Sequence, residues 1–379
     1  MKGLLNIKNT FLGTMRIVVG LLFIFSLSAC DGLFSEEYFD TDSTCDEDTT
    51  DVDFKQVAYW IESDINNLED IADSDNDIDY TQMTHLIFGY IYANSDGTFD
   101  TNSNGTLSDI DDNDDLKDII GDLQSNGVEV FFSIGGTSNS SNLETIAGDD
   151  DLTDDFIDSI IDLAEEYDLD GIDLSWQYPE SDDEGELFED LVEALSDELG
   201  DEGLTFTIEV LSGLDEEEDY ADVIDSDAFD YVDFVNVKGF NTNNDDGEDD
   251  DDDLYLTTDD FLDVIDYWTD RCLIQNKLVV SIPVFGTSED ADTEDYFDIV
   301  DAKSDKSTFA CDDDDKVSID GITYYFNAIP AIVEKTAYAE TYAGGIMLKS
   351  LDKDYNDDSD YSLLNAIYLE TADEDSICD

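Results

Sequence analysis

Short apolar runs and longer amphipathic segments alternate along the chain from residue 54 onward. Runs rich in β-branched and aromatic residues predict strands, whereas apolar residues at helical spacing predict helices. The eight predicted strands are Val57–Ile61, His85–Tyr92, Val128–Ile134, Gly171–Trp176, Leu204–Val210, Val232–Val237, Leu278–Val284 and Gly345–Leu348. The predicted helices are Leu116–Gln124, Thr153–Tyr167, Glu186–Leu199, Thr258–Trp268 and Ile329–Tyr342. This alternation predicts an α/β fold, a single-domain (β/α)8 TIM barrel.

The main alternative to the barrel is an open, doubly wound sheet with helices on both faces. A dinucleotide-binding sheet of that kind carries a Gly-x-Gly-x-x-Gly turn after its first strand. No such turn follows Val57–Ile61 in this chain. The barrel is therefore the preferred architecture.

The fourth predicted strand lies in the stretch LDGIDLSWQYP, which mixes apolar with polar residues. Because side chains alternate between the two faces of a strand, Asp173, Ser175 and Gln177 share one face. A polar row on an apolar strand is typical of a barrel strand that delivers groups to a pocket at its carboxyl end. An edge strand whose polar face is only hydrated produces the same pattern and is the alternative.

Acidic insertions follow two of the predicted strands, Asn241–Asp253 after the sixth and Glu289–Lys316 after the seventh. Loops that follow the strands of a barrel lie on its carboxyl-terminal face. These insertions therefore predict a strongly negative barrel mouth.

One loop has the spacing of a calcium-binding loop, with oxygen donors at alternate positions and glycine at the sixth. Its donors are Asp100, Asn102 and Asn104, and Asp111 stands at the twelfth position, where glutamate is usual. The flanking segments do not have the pattern of two helices, and such matches arise easily in an acidic chain. A plain polar loop is the preferred interpretation, and no other cofactor is predicted.

The chain carries 102 acidic and 14 basic residues, a formal net charge of −88 at pH 7. A surface of this sign repels nucleic acids and anionic membranes, which excludes both as direct partners. Sugars, cations and neutral polymers remain compatible with it. Solubility in salty surroundings, where ions screen self-repulsion, accounts for most of the charge without any partner.

Near the N-terminus, basic residues precede an apolar run, Ile17–Phe25, that is too short to span a bilayer. Residues 1–29 are therefore predicted to be a signal peptide. The sequence Leu-Ser-Ala-Cys that ends at Cys30 resembles the bacterial lipobox, which implies a membrane-anchored lipoprotein outside the cytoplasm, periplasmic or at the cell surface. Residues 30–53 are acidic and Ser/Thr-rich, as in a flexible tether to a barrel at 54–379. An ordinary cleaved signal is the alternative.

Four cysteines remain beside Cys30, an even number in an oxidising compartment, and they predict two disulfides. Three pairings are possible. We favour Cys45 with Cys378, which would join the two chain ends, and Cys272 with Cys311, which would close a loop. The spacing Cys-x-x-Cys of a zinc site does not occur.

The stretch DGIDLSWQYP resembles the catalytic strand of glycoside hydrolase family 18, the chitinases and endo-β-N-acetylglucosaminidases. The family pattern is Asp-x-x-Asp-x-Asp-x-Glu followed by Tyr-Pro. Four other stretches resemble strands of the family barrel in the correct order, namely Thr84–Tyr90, Phe132–Gly136, Lys277–Gly286 and Gly344–Met347. The resemblance covers roughly residues 55–355 and implies a barrel that recognises N-acetylglucosamine polymers.

The same resemblance implies that two groups of the family reaction are missing. A glutamic acid protonates the leaving oxygen, and an aspartate two residues earlier holds the substrate acetamido group, which is the nucleophile. Gln177 and Ser175 stand at these positions. Asp170 and Asp173 are the motif residues that remain, so the resemblance implies a barrel that does not hydrolyse chitin by the family mechanism.

Two lysines replace other family residues. Lys238-Gly-Phe-Asn241 stands where the family has Met-x-Tyr-Asp, and Lys349 stands where a tryptophan forms the floor of the sugar subsite. A structural ion-pair cluster is the preferred explanation, and a site for an anionic ligand or a hydrogen-bonded sugar is the alternative. The predicted ligand-binding residues are Asp173, Gln177, Tyr178, Lys238, Phe240, Asn241 and Lys349.

Three functions follow from these observations. The preferred one is a membrane-tethered, chitinase-like barrel that binds glycans containing N-acetylglucosamine, of chitin or N-glycan type, without efficient hydrolysis. The second is an active glycosidase of chitinase or endo-β-N-acetylglucosaminidase type with a displaced acid, for which Glu180 and Glu209 are candidates. The third is a structural or adhesion barrel whose partners contact the acidic outer loops.

Overall fold

The computed structural model describes residues 45, 53–61, 80–99, 114–214, 220–240, 257–288, 292–303, 311, 315–355, 359–372 and 377–378. Within this part, parallel strands close into a barrel. Seven barrel strands come first in the chain, β1 (Lys55–Trp60), β2 (His85–Ile91), β3 (Glu129–Gly135), β4 (Gly171–Ser175), β5 (Thr205–Val210), β6 (Phe234–Val237) and β7 (Leu278–Pro283). Four short strands follow, β8 (Phe285–Thr287), β9 (Thr293–Asp295), β10 (Lys316–Ile319) and β11 (Ile322–Tyr325). The last barrel strand is β12 (Gly345–Lys349).

The order of strands around the barrel is β1-β12-β7-β6-β5-β4-β3-β2, so each barrel strand pairs with its neighbours in sequence and the last closes on the first. Each strand predicted from the apolar runs overlaps one barrel strand. The predicted (β/α)8 TIM barrel is confirmed. The parallel register sets Asp173 on β4 beside Ser133 on β3 and Thr207 on β5.

Helices follow most of the barrel strands. They are α1 (Asp114–Ser125), α2 (Ser140–Ala147), α3 (Asp150–Tyr167), α4 (Asp182–Glu202), α5 (Thr258–Asp270), α6 (Tyr296–Asp301), α7 (Ile329–Tyr342) and α8 (Leu363–Thr371). Single 3₁₀ turns lie at Tyr80–Gln82, Thr137–Asn139, Tyr220–Val223, Ser226–Tyr231, Gln275–Lys277, Leu351–Lys353 and Ser359–Tyr361. No helix in the described ranges is long and apolar enough to cross a membrane.

Local sequence sets where several helices begin. The Ser181 side chain accepts a hydrogen bond from the backbone of Glu184 at the start of α4. Thr257 and Asp260 form a reciprocal capping box at the start of α5. Such side-chain acceptors satisfy backbone donors that have no partner within the helix, which fixes the first turn.

The barrel interior is apolar at one level and polar at the next. Its apolar cluster is formed by Val57, Tyr59, Ile87, Phe131, Phe234, Val279 and Met347. Side chains alternate along a strand, so the residue two positions further on points to the same interior. On β3, β6 and β12 those residues are Ser133, Asn236 and Lys349, all buried, and Asp173 on β4 lies beside Ser133 in the register. The change from apolar to polar at the carboxyl ends of the strands positions the candidate site.

The insertion after β7 contains a small antiparallel sheet with strand order β10-β11-β8-β9. The sequence predicted only an acidic loop for Glu289–Lys316, and that prediction was incomplete. Strand β9 is three residues long and reads Thr-Glu-Asp, so it has neither the length nor the apolar pattern that marks a strand. It is a strand because it pairs antiparallel with β8, its neighbour in sequence, a pairing that the residue pattern of β9 does not show.

The predicted disulfide pairing was wrong. Cys45 is bonded to Cys272 and Cys311 to Cys378, with Cα atoms 5.2 Å apart in both bridges. Cys45 precedes β1 and Cys272 precedes β7, so both belong to the amino-terminal end of the barrel. Because Cys272 is bonded to Cys45, it is not available to Cys311, which bonds to Cys378 across 67 residues.

Candidate functional site

Polar side chains from neighbouring barrel strands converge at the carboxyl end of the barrel, above the apolar cluster. The buried ones are Ser133 on β3, Asp173 and Ser175 on β4, Thr207 and Glu209 on β5, Asn236 on β6 and Lys349 on β12. Two tyrosines, Tyr59 and Tyr90, complete the set through their hydroxyl groups. Two carboxylates organise this cluster, and they differ in their partners.

Asp173 is the first of them, with no solvent exposure. Its Oδ2 accepts hydrogen bonds from the hydroxyls of Tyr59 at 2.5 Å and Ser133 at 2.6 Å. Its Oδ1 accepts from Thr207 Oγ1 at 2.7 Å and Asn236 Nδ2 at 3.0 Å. Burial and the nearby charge of Glu209 raise the pKa of Asp173 above its ordinary value, although the hydrogen bonds act in the opposite direction. Asp173 therefore joins β4 to four other strands, β1, β3, β5 and β6.

Glu209 is the second carboxylate, and it is 1% exposed. Its Oε2 accepts from Ser175 Oγ at 2.7 Å, Tyr90 Oη at 3.0 Å and Gln177 Nε2 at 3.1 Å. Its Oε1 forms an ion pair with Lys349 Nζ. Burial alone would raise the pKa of Glu209, but the charge and hydrogen bond of Lys349, the Ser175 hydroxyl and the charge of Lys238 outweigh it, so the pKa lies below its ordinary value.

Gln177 lies two residues beyond the end of β4, and both the nitrogen and the oxygen of its side-chain amide form hydrogen bonds. Nε2 donates to Tyr90 Oη and to Ser175 Oγ, each at 2.8 Å, as well as to Glu209. Oε1 accepts from Thr137 Oγ1 at 2.9 Å. An amide has no titratable proton, so this side chain positions its neighbours but cannot act as a general acid.

Lys349 occupies the end of β12 and is 8% exposed. Its Nζ lies 4.5 Å from the ring centroid of Tyr59 and 5.4 Å from that of Tyr90. A cation over an aromatic face is attracted by the ring, which adds to the ion pair with Glu209. The Lys349 ammonium therefore lies at the carboxyl end of the barrel, and the carboxylate of Glu209 neutralises its charge.

Lys238 follows β6 and is half-buried. Its Nζ lies 5.4 Å from the ring centroid of Phe240, which packs edge-to-face against Phe285 at 5.6 Å. Burial and the positive charge of Lys349 lower the pKa of Lys238 to about 8, and the negative charge of Glu209 acts against that shift. The two lysines thus lie within electrostatic reach of each other.

An aromatic pair lies next to this polar cluster. The rings of Tyr178 and Tyr220 stack with centroids 6.2 Å apart and planes 21° apart, and both residues are half-buried. Burial and the charge of Glu209 raise the pKa of Tyr178, so the phenol is neutral at physiological pH. A neutral, partly accessible aromatic face is the kind of surface on which the apolar side of a sugar ring packs.

The predicted site residues are distributed as follows. Asp173, Gln177, Lys238 and Lys349 come together at the carboxyl end of the barrel, with Tyr178 and Phe240 beside them. Asn241 lies outside the described residues.

Asp170, the other motif aspartate that remains, is not part of this cluster. Its Oδ2 accepts from the backbone N–H of Val130 at 2.8 Å and from Gln124 Nε2 at 3.0 Å. It precedes β4 by one residue, so it lies at the opposite, amino-terminal end of the strand from Gln177. Its role there is to join α1, β3 and β4.

Sequence reasoning missed five residues that hold Asp173 and Glu209 in place, namely Tyr59, Tyr90, Ser133, Thr207 and Asn236. Part of the signal was present, because Ser133 and Asn236 lie two positions beyond Phe131 and Phe234 of the apolar cluster, on the same face of their strands. The same alternation that singled out Ser175 on β4 applies to these strands. It identifies candidates but not their partners, which depend on register between strands.

The proposed calcium loop, with Asp100, Asn102, Asn104 and Asp111, lies outside the described residues. Over the part of the chain that the structure describes, no group of three or more His, Cys, Asp or Glu side chains is placed to hold a metal ion.

Comparison with known families identifies the barrel. Residues 55–354 match the family described as glycosyl hydrolases family 18. The chain belongs to this family. Among curated family 18 relatives, a chitinase-like effector from Moniliophthora roreri is 30% identical over 102 residues, which are 27% of this chain and 23% of that protein. The match thus spans about a quarter of the relative.

Solved family 18 structures share the fold over most of their length. A plant class V chitinase mutant from Cycas revoluta in complex with (GlcNAc)3 has a TM-score of 0.68 and 19% identity, over 84% of this chain and 99% of that one. A chitinase-like agglutinin from Robinia pseudoacacia has a TM-score of 0.62 and 18% identity, over 83% and 98% of the two chains. At these identities the likeness establishes the fold.

Proposed function

We propose that this family 18 barrel binds glycans that contain N-acetylglucosamine and does not hydrolyse them efficiently. The main support for this proposal is that Gln177, an amide, stands where the family has its general acid. Gln177 has no proton to donate, and its amide is fixed by Tyr90, Ser175 and Glu209. Loss of a general acid typically costs a factor of about 100 to 10,000 in rate.

A displaced acid is the competing hypothesis, and Glu209 is poorly suited to that role. A general acid must hold a proton near the working pH and reach the leaving group. The pKa of Glu209 is lowered, and both of its oxygens are occupied, Oε1 by Lys349 and Oε2 by three donors. Glu180, the other candidate, is exposed on the segment between β4 and α4. Neither geometry favours hydrolysis.

Two features support glycan binding. The stacked pair of Tyr178 and Tyr220 offers an aromatic surface beside a cluster of hydrogen-bonding groups, the combination that sugar sites use. Solved structures with this fold include a class V chitinase mutant in complex with (GlcNAc)3 and a chitinase-like agglutinin. We extend that binding to this chain as part of the proposal.

The deciding experiment titrates the full-length protein with N-acetylglucosamine hexamer by calorimetry while parallel samples are analysed for shorter products. Binding without product is the expected outcome. Tyr178→Ala is expected to weaken binding about tenfold, because a stacking surface is lost. Tyr338→Ala is the matched control, since Tyr338 stacks on Tyr342 within α7 at 6.3 Å. Product formation at a rate typical of chitinases would contradict the proposal.

We further propose that the barrel is tethered to a membrane outside the cytoplasm through lipid on Cys30. The support is the lipobox-like Leu-Ser-Ala-Cys sequence after a short apolar run. The test is mass spectrometry of the membrane fraction of an expressing bacterium, with Cys30→Ala as the variant. A chain that leaves the membrane fraction on this change supports the tether, and one that is distributed identically to the wild type refutes it.

A further inference from the structure

Positive charge is scarce in this chain, with 14 basic residues against 102 acidic ones, yet two lysines meet at the candidate site. Lys349 forms an ion pair with Glu209. Lys238 is different, because no residue in the described part of the chain accepts a hydrogen bond from its Nζ or forms an ion pair with it. The ammonium contacts the ring of Phe240 instead.

The backbone around Lys238 is held firmly. Its N–H donates to the carbonyl of Val210 at the end of β5 at 2.8 Å. The next N–H, of Gly239, donates to Ser281 Oγ on β7 at 3.0 Å. Lys238 is therefore fixed between the carboxyl ends of two neighbouring strands and projects from a rigid element, as a positioned binding group does.

Among the residues that the structure describes, the charges near Lys238 do not balance. The two groups whose charges act on it are Lys349 on β12 and Glu209 on β5, and these neutralise each other through their ion pair. No described group therefore neutralises the positive charge of Lys238. A half-buried ammonium without a counter-ion is unfavourable, and an anion bound beside it would offset that cost.

We propose that Lys238 binds a carboxylate carried by the glycan, so that the preferred ligands are acidic glycans containing N-acetylglucosamine rather than neutral chitin. A carboxylate has the single negative charge that one ammonium balances. This inference rests on the proposed function, because it assumes that the glycan occupies the carboxyl end of the barrel. In a chain of net charge −88, a local positive group also explains how an acidic ligand is accepted at all.

The inference predicts a pH dependence. Lys238 binds the carboxylate in its charged form, and in the unliganded protein its pKa is about 8. A bound anion raises that pKa, so affinity for the acidic glycan is full below about pH 8 and falls as the pH rises above it. The charged groups that act on Lys238 are Lys349 on β12 and Glu209 on β5, and both are unchanged in the variant below.

The test uses two ligands that differ in one group, an N-acetylglucosamine tetramer whose reducing end is oxidised to the aldonic acid and the same tetramer reduced to the neutral alditol. Each is titrated into the full-length protein by calorimetry at several pH values between 6 and 9, which bracket the value of about 8 for Lys238. The acid is expected to bind about tenfold more tightly than the alditol at the low end of that range. Lys238→Met should abolish this difference.

Lys117→Met is the matched control, because it removes one positive charge from an exposed ion pair with Glu166 on the outer helices. The preference for the acid should survive in this variant. Equal affinities for the two ligands in the wild type, or a preference that persists in Lys238→Met, would overturn the inference and leave the proposed function standing. Binding of the acid alone would support the inference and restrict the proposed function to acidic glycans. Failure of both ligands to bind would refute the two together.

Discussion

Lys349→Met is expected to lower the free energy of unfolding by about 3–5 kcal/mol, the cost of leaving a buried charge without its partner. Methionine is close to lysine in length and leaves no large cavity, so the loss comes from Glu209. That carboxylate is 1% exposed and would keep the hydrogen bonds from Ser175, Tyr90 and Gln177 but lose its counter-ion. Chemical denaturation of the two proteins measures the difference.

The pH dependence of this loss has a definite sign. In the wild type the pKa of Glu209 is lowered, so its contribution to stability is present above the unfolded-state pKa, about 4.3, and is lost as the pH falls through the folded-state value. In Lys349→Met, burial without the cation raises the pKa, and the penalty grows as the pH rises above about 4.3. The difference between the proteins should therefore be largest near neutrality and shrink toward pH 4.

A double variant separates the lost ion pair from a general packing defect. Glu209→Gln combined with Lys349→Met removes both charges and should recover most of the stability that Lys349→Met loses. The exposed pair of Lys117 and Glu166 is the comparison, since breaking it is expected to cost less than about 1 kcal/mol. If the double variant were as unstable as the single one, the ion pair would not be the source of the loss.

Asp173→Ala is expected to lower the free energy of unfolding by about 3–5 kcal/mol, because it removes the common acceptor of four hydrogen bonds in the barrel interior. Tyr59, Ser133 and Thr207 have hydroxyls that can rotate toward other acceptors. The amide of Asn236 cannot, and its Nδ2 would remain buried without an acceptor. Thermal and chemical denaturation provide the measurement.

Asp173→Asn tests whether stability depends on the hydrogen bonds at this position or on the negative charge of the carboxylate. The amide keeps one acceptor oxygen for Thr207 and Asn236, and the hydroxyls of Tyr59 and Ser133 can turn to accept from its N–H groups. The folded-state pKa of Asp173 is raised, so ionisation costs stability as the pH rises through that value, and the neutral amide avoids this cost. We expect a loss below about 2 kcal/mol for Asp173→Asn.

Asp170→Ala is the control for the Asp173 series, because it changes the other retained motif aspartate. It removes two hydrogen bonds at the amino-terminal end of β4, to Val130 and Gln124. A loss of about 1–3 kcal/mol with unchanged glycan binding is expected. If the Asp173→Ala protein were as stable as the wild type, the four hydrogen bonds that Asp173 accepts would not stabilise the barrel interior.

The barrel was predictable because its strands are buried on both faces and read as apolar runs. The segments around Ile87, Phe131 and Val279 show this directly, and each contributes to the apolar cluster. The polar row of Asp173, Ser175 and Gln177 was also visible, since alternation along a single strand needs no tertiary information. Both the apolar runs and the polar row are set by residues that are close together in the sequence.

The partners of those residues were not predictable from the same patterns. The sequence indicated Glu209 only as a candidate acid, whereas the structure pairs it with Lys349, 140 positions further along the chain. Cys45 meets Cys272 across a separation of 227 residues. Each case joins residues whose proximity is created by closing the barrel.

By itself, the sequence determined the eight barrel strands, the order of the motifs along them and the absence of the acidic proton at Gln177, because periodicity and residue type act locally. Only the tertiary structure decided which carboxylate is neutralised, which lysine has no counter-ion among the described residues and which cysteines bond. The physical reason is that burial and the distance between charges set the protonation and pairing of these groups, and both arise when distant strands are brought together.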